Sequence, residues 1–175
     1  MSTLKENLKK IKLIRLVYSK LRRVFNKETY NDIRYRLEEE DRKNALKDET
    51  LEALHKKLQD LKFDQEKNWD SMVYCGGYYY QGYKRIGIHG IKPTEPRMKN
   101  YEIDAYLSKD KTVLDIGSNS GWIASYLSDY SKNVDGIELN PYLVKMGEVT
   151  IDFLNITNVK FIVADFIKYD FLRKY

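Results

Sequence analysis

Three short apolar runs, separated by two helix-like stretches within residues 112–164, constrain the fold of this chain more than any other feature. Thr112-Val113-Leu114-Asp115-Ile116, Val134-Asp135-Gly136-Ile137-Glu138 and Lys160-Phe161-Ile162-Val163-Ala164 have the length and composition of strands buried in a sheet. Between them, residues 121–130 and 141–154 carry helical patterning. Asn140 stands where an N-cap belongs and Pro141 where the first helical turn tolerates proline. A β-α-β-α-β order with short links implies a parallel sheet with right-handed crossovers, so the fold class is α/β.

In such a sheet ligands bind outside the carboxyl ends of the strands. The first of these ends reads Asp115-Ile116-Gly117-Ser118-Asn119-Ser120-Gly121. Gly117 and Gly121 allow a tight turn with close backbone approach to a ligand, and the helix that follows is expected to offer free N–H groups to an anionic group. Glu138 ends the second run, 23 residues after Asp115, a spacing that suits an acid on ribose hydroxyls. Asp165 follows the third. A dinucleotide fingerprint, G-x-G-x-x-G, fails here: counted from Gly117, its second and third glycine positions hold Asn119 and Trp122. A carboxylate two residues before the first glycine suits a ligand with an ammonium group better than a pyrophosphate.

Residues 112–124 resemble the nucleotide-binding motif (D/E)-x-G-x-G-x-G of the class I S-adenosylmethionine-dependent methyltransferases. Asp115, Gly117 and Gly121 are in register, and Asn119 replaces the middle glycine. The resemblance implies a Rossmann-like methyltransferase fold with S-adenosylmethionine as cofactor and no metal. Asp115 would support the binding loop and the amino-acid end of the cofactor, Gly117 and Gly121 would admit its methionine portion, and Ser118 and Asn119 would join them as cofactor-binding residues. Glu138 would hold both ribose hydroxyls, with Leu139 a further cofactor-binding residue, and Asp165 would meet the adenine amino group with the Phe166 backbone nearby. The resemblance covers about residues 85–170. Each assignment has a plainer alternative: turn glycines, a charge at a helix start, a loop acid.

Upstream, Gly87-Ile88-His89-Gly90-Ile91-Lys92-Pro93-Thr94-Glu95-Pro96-Arg97 is similar to the GIH…TE-x-R segment of bacterial methyltransferases, including wobble-uridine tRNA carboxymethyl-transferring enzymes. That similarity implies a segment folded over the cofactor, with Arg97 on its carboxylate or on an anionic substrate and Glu95 orienting it. The plainer reading has Glu95 and Arg97 in salt bridges within the domain. His89 reads more readily as structural than as a base, and the tyrosines at 74, 78, 79, 80 and 83 as packing rather than a stacking platform.

Organisation follows composition. Residues 1–70 read as a helical arm, with a basic amphipathic helix over 2–27 and a second helix at about 48–66. Residues 71–100 are a Gly/Tyr/Pro-rich cap in which Pro93 and Pro96 are expected to break any helix. Residues 101–175 form the partial methyltransferase domain, opening with a helix at 101–108. Residues 1–27 hold nine basic side chains and one acid, a charge of +8 against a net +5, so the other 148 residues sum to −3 and the basic character belongs to this N-terminal segment. The arm could meet an anionic membrane surface or RNA phosphates, or pack as an ordinary helix. A single cysteine, Cys75, permits no disulfide framework and fits a reducing, cytoplasmic setting, with peripheral membrane contact through residues 2–27 as a further option.

The family sheet has seven strands in the order 3-2-1-4-5-7-6, and this chain supplies three. It therefore reads as the fold truncated after its third parallel strand, with strand 1 left as an apolar edge that invites an oligomer. The expected function is S-adenosylmethionine-dependent methyl transfer to a small molecule or glycan, with little activity expected of these 175 residues alone. The alternatives are a tRNA-modifying methyl or carboxymethyl transferase and a non-catalytic cofactor-binding or assembly module.

Overall fold

The computed structural model describes residues 32–69, 78–170 and 175. The basic helix expected over 2–27, Tyr74 and Cys75 lie outside the described residues. The chain divides into two compact units, Met1–Glu39 and Glu40–Tyr175. Residues 32–45 are helical (α1), and the division falls inside this helix. In the first unit Arg34 Nε lies 3.0 Å from Glu38 Oε1, one helical turn on.

The second unit carries the rest. Helix α2 spans Glu49–Asn68 and starts where the Asp48 carboxylate accepts the N–H groups of Thr50 and Leu51. Its Leu54 and Leu58 are buried in one cluster with Trp122, Leu143 and Met146. Among the described residues no helix is long and apolar enough to cross a membrane.

The cap segment is held by main-chain crossings. Strand β1 (Gln81–Gly82) pairs in parallel with β2 (Lys92–Pro93). A Cβ at Gly82 would lie 1.6 Å from the His89 carbonyl oxygen, and one at Gly90 2.1 Å from that of Gln81. Only glycines let these two backbones touch. His89 is tied down as the plainer reading expects. Its main-chain N–H donates to Asp41 Oδ1, its Nδ1 lies 2.7 Å from the same oxygen, and Tyr78 donates to Asp41 Oδ2.

Two expectations fail here. Pro93 and Pro96 do not break a helix: α3 spans Thr94–Asn100 with Pro93 as its N-cap. Both prolines sit where helical N–H groups have no intrahelical acceptor, so neither removes a bond. In place of the helix expected at 101–108 there is a short 3₁₀ turn, Ile103–Tyr106, entered through Glu102 at φ 51°.

The α/β core agrees with the sequence reading. Strands β3 (Thr112–Ile116), β4 (Asn133–Glu138) and β5 (Val159–Val163) form a parallel sheet in the order β3-β4-β5, linked by α4 (Trp122–Leu127) and α5 (Pro141–Phe153). The Phe161 ring locks sheet to helices. Cβ atoms built at Gly121, Gly136 and Gly147 would lie 2.3, 2.8 and 2.8 Å from it. Three glycines on three segments therefore make the space that one ring fills.

Candidate functional site

Parallel pairing brings the carboxyl ends of β3, β4 and β5 side by side, with Ile116 opposite Ile137 and Glu138 opposite Val163. Asp115 and Glu138 thus arrive at one edge, and the loop 117–121 rises between them. Gly117 (φ 69°) and Gly121 (φ 73°) take left-handed conformations, as does Asn119 (φ 54°). Asparagine is among the few side chains that tolerate this region, which explains how it replaces the glycine of the motif. A Cβ at Gly117 would meet nothing within 4 Å, so this glycine faces open space where Gly121 faces Phe161.

The loop's hydrogen bonding overturns one expectation. Every N–H from Gly117 to Trp122 already has an acceptor in the protein. Those of Gly117 and Ser118 donate to the Ile137 carbonyl, at 2.8 and 3.0 Å, and that of Gly121 to the Ser118 carbonyl. The Asn119 N–H donates to Glu138 Oε2, that of Ser120 to Asn119 Oδ1, and that of Trp122 to Gln81 Oε1. The start of α4 therefore offers no row of free donors, and a pyrophosphate would have to displace bonds already made. Glu138 acts through both oxygens, since Oε2 holds the loop while Oε1 accepts the N–H of Asn140 at 3.0 Å.

Two charged groups beside the loop keep an atom without a partner. Oδ2 of Asp115 is buried without a hydrogen-bond partner, and so is Nη1 of Arg97 on α3. The two groups interact. Burial pushes the Asp115 pKa up to about 6, Arg97 pulls it back down, and the nearby Glu138 adds to the rise. Arg97 also stands over the Tyr80 ring, 5.9 Å from guanidinium carbon to centroid. One carboxylate oxygen and one guanidinium nitrogen, each buried without a hydrogen-bond partner, leave an acceptor and a donor of opposite charge here, a combination that suits a zwitterion. The amino-acid end of S-adenosylmethionine is such a group, and these residues fit it. The Glu95 carboxylate turns to the main chain of the cap, where it accepts the Lys84 N–H at 2.8 Å.

Around these groups the strand ends are apolar and open. Ile116, Leu139, Val163 and Phe166 are 52%, 56%, 52% and 40% exposed. Exposed apolar side chains at the ends of three neighbouring strands provide a surface for a planar base. Asp165 stands there too, with its carboxylate in its own turn: Oδ1 accepts the Ile167 N–H, and Oδ2 lies 3.5 Å from Lys168 Nζ.

The residue that sequence reasoning missed is Gln81. It is 3% exposed, and its carboxamide donates to the Ser118 carbonyl while accepting from Trp122. A glutamine in a tyrosine-rich loop gives no such signal. A cavity of about 20 Å³, near the room one or two waters need, lies behind the loop among Gln65, Tyr79, Asn119, Ser120, Leu143 and Met146.

The proteins that this chain is similar to include methyltransferases. The chain is 37% identical over 65 residues to the ribosomal protein L11 methyltransferase of Clostridium perfringens, an overlap of 37% of this chain and 21% of that protein. It thus spans about a fifth of the curated relatives it matches. Among solved structures, a dimethyladenosine transferase from Plasmodium falciparum aligns at 19% identity, 45% of this chain, 29% of that one and a TM-score of 0.42. A SAM-dependent methyltransferase from Thiobacillus denitrificans, solved with S-adenosyl-L-homocysteine, aligns at 25%, 46%, 34% and 0.41. The family model of protein-L-isoaspartate(D-aspartate) O-methyltransferase matches residues 79–168, over half the chain and all of the site from Gln81 to Asp165, and the chain belongs to that family of methyltransferases.

Proposed function

We propose that this edge of the sheet binds S-adenosylmethionine for methyl transfer. The observation that carries the reading is the paired orphans, Asp115 Oδ2 and Arg97 Nη1, buried and of opposite charge. The cofactor supplies an electrophilic methyl on a sulfonium. The chain's own residues bind and orient: Asp115 and Arg97 hold the amino-acid end, and Glu138 offers its remaining lone pairs to the ribose hydroxyls. Leu139 and Phe166 flank the base, with Asp165 near its amino group. Catalysis by such a site is chiefly proximity and alignment for an in-line displacement.

The match of residues 79–168 supports the cofactor half of this reading. The acceptor classes suggested by the sequence are a small molecule or glycan, with RNA as the alternative. Methyl-group transfer from labelled cofactor to each class, measured on the full-length protein, sorts them.

Titration calorimetry with S-adenosylhomocysteine tests the site. The chain should bind it, and Glu138→Ala should weaken binding by about 2–3 kcal/mol, because a charge-assisted acceptor is lost and the loop loses its anchor at Asn119. Unchanged affinity in that variant removes the ribose assignment. Tighter binding of NAD than of S-adenosylmethionine removes the cofactor assignment.

A further inference from the structure

The cap segment reaches the cofactor loop through one buried side chain. Gln81 lies on β1, and its carboxamide spans the turn from β3 into α4. Nε2 donates to the Ser118 carbonyl at 3.2 Å, and Oε1 accepts from the Trp122 N–H at 3.2 Å. The Ser118 carbonyl also receives the Gly121 N–H at 3.0 Å, so the amide braces the turn at its closing bond. Trp122 N–H is an orphan donor of the first helical turn, and without Gln81 it would need a partner in a region where Trp122, Ser118 and Ser120 are buried. Gln81 is itself fixed by the Gly82 and Gly90 crossings, where no Cβ fits. Its neighbour strand β2 runs directly into α3, which carries Arg97.

We propose that Gln81 is a positioning residue for the cofactor site. It holds the 118–122 turn in the form that leaves Gly117 open to the ligand, and it fixes that turn relative to the segment that brings Arg97. Resting on the cofactor reading above, the inference adds a residue that the methyltransferase motif does not contain. A side chain that only filled space would be replaceable by leucine. A two-point brace is not, because leucine has neither the donor for Ser118 nor the acceptor for Trp122.

The test uses the full 175-residue chain with S-adenosylhomocysteine as the probe. Gln81→Leu should weaken binding roughly tenfold, the scale of one or two buried hydrogen bonds. It should also speed hydrogen exchange at the Trp122 amide. Asn158→Ala is the control: it loses the bonds to the Ser128 and Ser131 carbonyls at the opposite end of the sheet from the loop, so it should lower the melting temperature and leave affinity unchanged. Gln81→Glu gives a readout that packing would not move. A protonated carboxyl has the donor–acceptor pair of the amide, whereas an ionised one has no donor and faces the Ser118 oxygen. Its affinity deficit relative to wild type should therefore widen as pH rises from about 6 to about 8. Wild-type affinity in Gln81→Leu, or a deficit no greater than that of Asn158→Ala, overturns the positioning role. A wild-type chain that binds neither S-adenosylmethionine nor its homocysteine product overturns the cofactor reading first, and the role of Gln81 with it.

Discussion

Asp115 is where stability and binding pull in opposite directions. Its carboxylate is buried with one oxygen unpartnered, and burial pushes its pKa up to about 6, well above the usual carboxylate range. A pKa raised in the folded state favours folding fully below the unfolded value and loses that contribution as pH climbs through 6. At a pH of about 7.5 the folded chain must keep this group ionised in a poor environment, a cost on the order of 2–3 kcal/mol. Asp115→Asn removes the cost. Its unfolding free energy should exceed that of wild type at pH ~7.5, and the gap should close by pH ~4.5, as measured by denaturant titration. Binding runs the other way: an ammonium needs the ionised carboxylate, so wild-type affinity for S-adenosylhomocysteine should rise from pH ~5 to pH ~7 and then level off. In Asp115→Asn that rise should vanish and affinity should be low throughout. A pH-independent wild-type affinity would contradict the assignment of the ammonium to Asp115.

At the scale of elements, the two motif glycines separate into different jobs. Both have positive φ, yet a Cβ at Gly121 would lie 2.3 Å from the Phe161 ring and one at Gly117 would touch nothing. Gly121→Ala should therefore cost about 3 kcal/mol or more in stability, from overpacking added to backbone strain. Gly117→Ala should cost only the strain of about 1–2 kcal/mol while losing most cofactor affinity, because its new methyl enters the ligand's space. Melting curves and calorimetry on the same two proteins show whether the losses divide this way. Here too lies the boundary of what the sequence discloses. The strands and the helix α5 are legible because apolar period and capping residues are local signals, and the acids at strand ends follow from their position. The Phe161 cradle is not, since Gly121, Gly136, Gly147 and Phe161 lie far apart in the chain and only parallel pairing brings them together. Helix α3 is hidden because Pro93 and Pro96 signal interruption unless one knows that they open the helix. The free donors expected at α4 are missing for a similar reason: their acceptors, Glu138 and Gln81, come from other segments.

For the molecule as a whole, the sheet order leaves β3 with a neighbour, β4, on one side only among the described residues. A strand with an unpaired row of N–H and C=O groups is a template for another strand. The 175-residue chain should run as a dimer or larger species in size-exclusion chromatography with light scattering; a monodisperse monomer with one cooperative melt would show that the edge is closed by other means. The cofactor loop has the opposite character. With each N–H from Gly117 to Trp122 already bonded inside the protein, an arriving ligand finds nothing to rewire. Its encounter therefore requires no slow rearrangement of this turn and little loss of chain freedom within it. Capture should be rapid, and how long the ligand stays should depend on the few side chains that were waiting for it.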